Sequence, residues 1–220
     1  MPTLTQDGPL WTVDLGDDEN RFSPGWLDSL DGLLDTIATD REPAALVTVG
    51  GGKFYSTGLD LEWLGGHPDQ LGSYVERVHA LFARMLTLPV PTVAALNGHA
   101  FGAGAMLAMA HDYRVMRDDR GYFCFPEVDI HIPFTPGMAA LITAKLSPRA
   151  ALDAMTTGRR FPASAAHDAG LVDAVAGLDD LPDAAADLVR ELAGKDRATL
   201  GAIKATMFAD VVEALGRPQG

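Results

Sequence analysis

Hydrophobic and polar positions along the chain follow two periods. Trp11, Val13 and Leu15 alternate with Thr12 and Asp14, which predicts a strand with one buried face. The acidic turn Gly16–Asn20 ends it. Ser23 before Pro24 reads as a helix cap followed by a first-turn proline. Leu27, Leu30, Leu34 and Ile37 continue at helical spacing until Pro43 breaks the pattern. Ala44–Val49 is an apolar run without alternation, the signature of a strand covered on both sides. A glycine-rich connection follows, then a helix marked by Val75, Val78, Phe82 and Met85. Pro89 and Pro91 separate it from a short strand, Thr92–Leu96. Asn97-Gly98 predicts a turn, and Gly102–Ala110 a helix despite its glycines. Tyr113–Met116 and Tyr122–Cys124 read as strands around a polar turn.

Beyond that point helices dominate the prediction, at Gly137–Leu146, Arg149–Thr156, Ala163–Ala169, Ala184–Ala193 and Arg197 to about Leu215. Leu171–Val175 is one late strand. A soft boundary falls near Arg160–Pro162, dividing the chain into residues 1–161 and 162–220. The pattern by itself predicts an α/β fold of the doubly wound kind with a helical C-terminal segment.

Composition narrows the function classes. The chain has 220 residues, of which 47% are hydrophobic, enough for one cored domain or one domain with an appendage. Seventeen Lys and Arg face 30 Asp and Glu, a net charge of −13. That field opposes a nucleic-acid backbone and an anionic membrane surface alike, so neither partner is expected. The longest apolar run, Ala100–Ala110, is about half of the ~20 residues a membrane span needs. The one cysteine, Cys124, is read as a buried thiol. With no basic or apolar leader visible in the first residues and no SKL-type ending, a reducing cytoplasm is the expected location.

Several catalytic signatures are missing. There is no GxSxG elbow, no GxGxxG dinucleotide fingerprint and no P-loop around Lys53. The six histidines form no HExxH or HxxxH pair, so no metal site is expected. Two stretches do have the form of backbone cradles. Ser56-Thr57-Gly58-Leu59-Asp60 follows a buried strand, and Asn97–Gly104 runs from a strand through a turn into a helix start. Free N–H groups at such turns attract anionic oxygen. Two of them together would make an oxyanion hole, although tight packing of small residues would leave the same pattern.

Here a family resemblance enters. PVPTVAALNGHAFGAGAMLAMAHDYRVM resembles the central signature of the crotonase (enoyl-CoA hydratase/isomerase) superfamily. GKFYSTGLDLEWL resembles its first oxyanion loop. FPEVDIHIP with TTGRRFPASAAHDAGLVDAV resembles its third block, and Arg21-Phe22-Ser23-Pro24 is similar to the plant-type Δ3,Δ2-enoyl-CoA isomerases. The match runs in order from about Leu10 to Val175. It replaces the doubly wound fold with a spiral of ββα turns in residues 1–161. It also implies a helical trimerisation region in 162–220, and hence a homotrimer or dimer of trimers.

The resemblance also assigns roles. The backbone N–H groups of Leu59 and Ala103 would be the oxyanion donors, with alanine where the family usually has glycine. Hydratases of the family carry one glutamate three residues beyond the second donor, which is Met106 here, and a second at Glu127. With Met106 in place of a carboxylate, Glu127 is the single expected base. The resemblance then implies a double-bond shift in a 3-enoyl-CoA, with acyl-CoA as substrate and no cofactor. Met106, one helical turn beyond Ala103, would share its face and keep the pocket dry. Arg21 and Lys53 are the cations expected to meet the CoA phosphates, with Lys204 a weaker candidate. Ser56, Gly58 and Phe101 would contact the substrate, and Trp63, Leu64 and Phe134 would line the acyl tunnel. Asp60 is read as structural. Two rival readings remain: a hydratase pairing Glu127 with Asp129 or His131, and a non-catalytic acyl-CoA-binding paralogue.

Overall fold

In the computed structural model, which describes residues 1–218, two sheets share the work of the core. The larger holds six strands in the order β1 (Thr3–Asp7), β2 (Leu10–Asp14), β3 (Ala45–Val49), β5 (Thr92–Leu96), β7 (Tyr113–Arg117) and β9 (Ala174–Ala176). Only the β1–β2 pair is antiparallel. The smaller is a parallel set of β4 (Phe54–Ser56), β6 (His99–Phe101) and β8 (Phe123–Cys124). Chain order explains the architecture. β3 and β4, β5 and β6, and β7 and β8 each give one strand to the large sheet and the next to the small one, and a helical segment follows. The result is the spiral of ββα turns. The pattern-based expectation of a doubly wound sheet fails because the strand order never reverses and a second sheet intervenes.

Helices follow their local signals. Ser23 Oγ accepts the Trp26 N–H and Pro24 opens α1 (Pro24–Thr39), whose buried face is Leu27, Leu30, Leu34 and Ile37. Asp60 caps α2 (Leu61–Gly66) by accepting from Trp63 N–H at 3.1 Å. A 3₁₀ turn at Pro68–Gln70 leads into α3 (Leu71–Thr87). α4 (Ala103–Ala110) is buried at every position, so it can be apolar all round. α5 (Pro136–Lys145) and α6 (Pro148–Thr156) also start with cap and proline.

The late elements depart from expectation in two places. Leu171 and Val172 do not join a strand, because their N–H groups donate to Ala166 O and close α7 (Ala163–Asp168). β9 therefore starts only at Ala174. The last helix is broken at Phe208, whose φ of −108° and ψ of 18° separate α9 (Arg197–Met207) from α10 (Ala209–Leu215). The bend lets α10 pack on α5 and α3. Between them, α8 (Leu181–Arg190) lays Leu181, Ala185 and Val189 on Ala45, Val47, Val93 and Val115 of the large sheet, forming a second core cluster. No described helix is long and apolar enough to cross a membrane.

Candidate active site

Gly58 and the N-terminus of α4 meet between the two sheets. Gly58 has φ +82°, and a Cβ there would stand 2.7 Å from Ala103 N and 2.6 Å from Gly104 N. Only glycine brings the first loop this near the second. The loop is held from behind. Ser56 Oγ donates to Asn20 O at 2.8 Å and accepts from Gly58 N–H at 3.0 Å. Asn20 is buried, and its side-chain amide donates to Tyr55 O at 2.9 Å and Gly16 O at 3.0 Å. Tyr74 Oη accepts the Asp60 N–H at 2.9 Å and donates to Phe22 O at 3.0 Å. With Gly58 N–H occupied, the next donor in the loop is Leu59. Among the described residues neither the Leu59 nor the Ala103 N–H donates to any acceptor. α4 also lacks a side-chain cap, since Gly102 holds the cap position at φ +52°. The site thus offers two unspent donors on touching loops, one at a helix N-terminus where the dipole favours negative charge.

Glu127 supplies the carboxylate. A Cβ on Gly102 would lie 3.5 Å from Glu127 Oε1, so the acid sits over the residue that precedes the second donor. The side chain is buried, and Oε2 has no hydrogen-bond partner. Burial pushes its carboxyl up to about 7, with its own backbone N–H pulling the other way. A carboxylate in that range exchanges protons near neutral pH, as a general base must. It opens on a cavity of about 490 Å³ lined by His131, Ile132, Pro133, Phe134 and Met155.

The remaining expected residues are distributed unevenly. Phe134 lines this cavity. Met106 is buried one turn into α4, outside the cavity lining. Phe101 packs on His99 with ring centroids 5.0 Å apart and lies 5.7 Å below the Arg160 guanidinium. Trp63 stacks on His67 at 4.4 Å, while Trp63 and Leu64 pack at the edge of the main core. Arg21 is shared between Glu19 and Glu62, at 2.5 and 3.1 Å. Lys53 forms no ion pair among the described residues, and its Nζ lies 5.1 Å from the centre of the Phe54 ring. Lys204 is buried away from this site, with Nζ donating to Val90 O at 2.8 Å and to Asp112 at 2.5 Å. Of the two rival partners for Glu127, His131 shares its cavity. The Asp129 carboxylate instead occupies the space that a Cβ on Gly158 would take. Cys124 is buried as expected.

Sequence reading missed the residues that shape the first loop, Asn20 and Tyr74, and two of the three cations near His99, Arg120 and Arg160. Burial first, then the charges of Lys53, Arg120 and Arg160, push the His99 imidazole down. Asn20 did carry a signal, a polar residue closing an acidic turn, and its φ of +49° is one that asparagine tolerates.

Two unspent backbone donors on touching loops, near one buried carboxylate, are an arrangement that can stabilise negative charge developing on a carbonyl oxygen. The family model for enoyl-CoA hydratase/isomerase matches residues 11–218, and the chain belongs to that family. Enoyl-CoA delta isomerase 3 of Arabidopsis thaliana is 37% identical over 204 residues, 89% of this chain and 86% of the relative. Enoyl-CoA delta isomerase 1, peroxisomal, of the same plant is 34% identical, covering 96% of this chain and 91% of the relative. The solved structure of a probable enoyl-CoA hydratase from Mycobacterium tuberculosis superposes with a TM-score of 0.90 at 26% identity, covering 97% of this chain and 91% of that one.

Proposed function

We propose that the protein is a Δ3,Δ2-enoyl-CoA isomerase that works without a cofactor. The observation that carries the reading is the single buried carboxylate of Glu127 over Gly102, with Met106 where a hydratase would place its second acid. Hydration must hold and activate a water, which two carboxylates do; a double-bond shift needs one base. Glu127 takes a proton from C2 of the 3-enoyl thioester. The C3–C4 double bond and the carbonyl then delocalise as a dienolate. Its charge rests on the thioester oxygen between the Leu59 and Ala103 N–H groups. The protonated Glu127 returns the proton to C4, leaving the C2–C3 double bond of the 2-enoyl thioester. Each oxyanion donor is worth about 10²–10³ in rate and the positioned base about 10²–10⁴. The names of the plant relatives support the same activity.

Lys53, free of carboxylate partners, is the cation assigned to the CoA phosphates. Arg21 joins it by exchanging Glu62 for phosphate. Ser56 and Gly58 shape the thioester cradle, and Phe101 flanks it. We place the enzyme in the cytoplasm, consistent with the free Cys124 thiol. We assign it a homotrimer or dimer of trimers, in which the 162–220 segment takes part. The exposed apolar side chains Val128, Ile130 and Leu152 support association. Purified protein given a 3-enoyl-CoA should form the conjugated 2-enoyl-CoA, and Glu127→Gln should stop it; a residual rate on the order of a tenth of wild type would sink the single-base mechanism.

A further inference from the structure

A second cavity, of about 550 Å³, shares no lining residue with the one beside Glu127. Its size is that of a small-molecule site, on the order of 300–1,000 Å³. It lies beyond the C-terminal end of α4, between α9 and the body of the chain. Its walls are mainly apolar, including Pro91, Tyr113, Leu192, Ile203 and Phe208. Two cations of that wall, Lys145 and Lys195, form no ion pair among the described residues; Lys195 is exposed, whereas Lys145 is half-buried. Lys145 is the last residue of α5, and its Nζ lies 5.1 Å from the centre of the Phe208 ring. The nearby acid, Asp112, is already engaged by Lys204 and by the Thr92 N–H. A mostly apolar cavity with one half-buried, unpaired ammonium fits an apolar chain that ends in a single negative charge.

We propose that this cavity binds a medium-chain fatty carboxylate, its acid group on Lys145 and its chain along α9. Burial is the largest cause of the Lys145 ammonium's fall to about 8; Arg114 and Lys204 push the same way, while Asp112 and Asp173 oppose them. Lys195 and Asp196 also face the cavity. A bound carboxylate raises the Lys145 pKa again, so affinity falls as pH climbs through that range. The site is separate from the reacting atoms, and the inference does not depend on which reaction Glu127 performs.

Titration calorimetry with dodecanoate and with dodecanol tests it, on the wild type, Lys145→Met and Lys145→Arg, with the active site saturated by a non-isomerisable saturated acyl-CoA. Dodecanoate should bind one per chain, at least tenfold tighter than dodecanol. Lys145→Met should erase that preference, Lys145→Arg should keep it, and both variants should turn over 3-enoyl-CoA like wild type. Equal affinity for acid and alcohol, undiminished dodecanoate binding by Lys145→Met, or no saturable binding because a second copy of the chain covers the mouth at Ile203 would each overturn the proposal.

Discussion

A methyl group on Gly58 would stand 2.7 Å from the amide nitrogen of Ala103. The two loops proposed to hold the oxyanion, 45 residues apart in sequence, are therefore in contact through the one residue type that allows it. Gly58→Ala adds strain at φ +82° and pushes the loops apart. We expect kcat/KM for 3-enoyl-CoA to fall about 10²–10³-fold, the loss of one donor. Gly65→Ala is the control. Nothing lies within 4 Å of a Cβ there, so activity stays and Tm is unchanged or higher.

Glu127 links activity and stability to pH in opposite directions. As the proposed base, Glu127 works ionised, so kcat/KM should be low in acid and rise to a plateau above about pH 7. Stability runs the other way. The folded pKa exceeds the ordinary carboxyl value of 4.5. The stabilisation is therefore complete below 4.5 and is lost as pH rises through about 7. Glu127→Gln, measured by urea unfolding, should gain on the order of 1–3 kcal/mol over wild type at pH 8 and nothing at pH 4.

The buried pair of Lys204 and Asp112 ties α9 to the start of β5 and the end of α4. Lys204→Met leaves Asp112 uncompensated and should cost about 3–5 kcal/mol. It should leave the KM for acyl-CoA unchanged, because the ammonium does not face the active site. A raised KM at unaltered stability would return Lys204 to the CoA site.

Legibility of the fold in the sequence followed the physics of each segment. α1, α3 and β3 were readable because cap, proline and period agree within one stretch. β4 and β6 were not, since strands of three residues take their conformation from each other and from the Asn97 side chain, which accepts the Gly50 N–H at 3.0 Å. β9 was displaced by the hydrogen bonds that close α7, a tertiary choice no local pattern records. In the candidate site, Glu127, Leu59 and Ala103 were named through motif resemblance. Asn20 and Tyr74 were not, because the hydrogen bonds that give them a role span 35 and 52 residues.

Met106→Glu tests why this site would favour one reaction over another. Glutamate has nearly the length of methionine and would bring a second carboxylate to the helix face that carries Ala103. The two acids would raise each other's pKa. Hydration of 2-enoyl-CoA should rise above the wild-type level while isomerisation falls. The gain should be modest, because a placement error near 1 Å costs about 10²-fold. An unchanged hydration rate in a folded variant would show that residue 106 does not govern the choice.

The most direct measurement is a side-by-side assay of one protein preparation on 3-enoyl-CoA and 2-enoyl-CoA, following isomerisation and hydration separately. With Glu127 acting as the single base between the Leu59 and Ala103 donors, 3-enoyl-CoA should be converted rapidly and 2-enoyl-CoA hydrated at least about 10²-fold more slowly, the order a second positioned acid–base group contributes. Comparable hydration and isomerisation, or hydration alone, would contradict the account and give Glu127 a second partner such as His131.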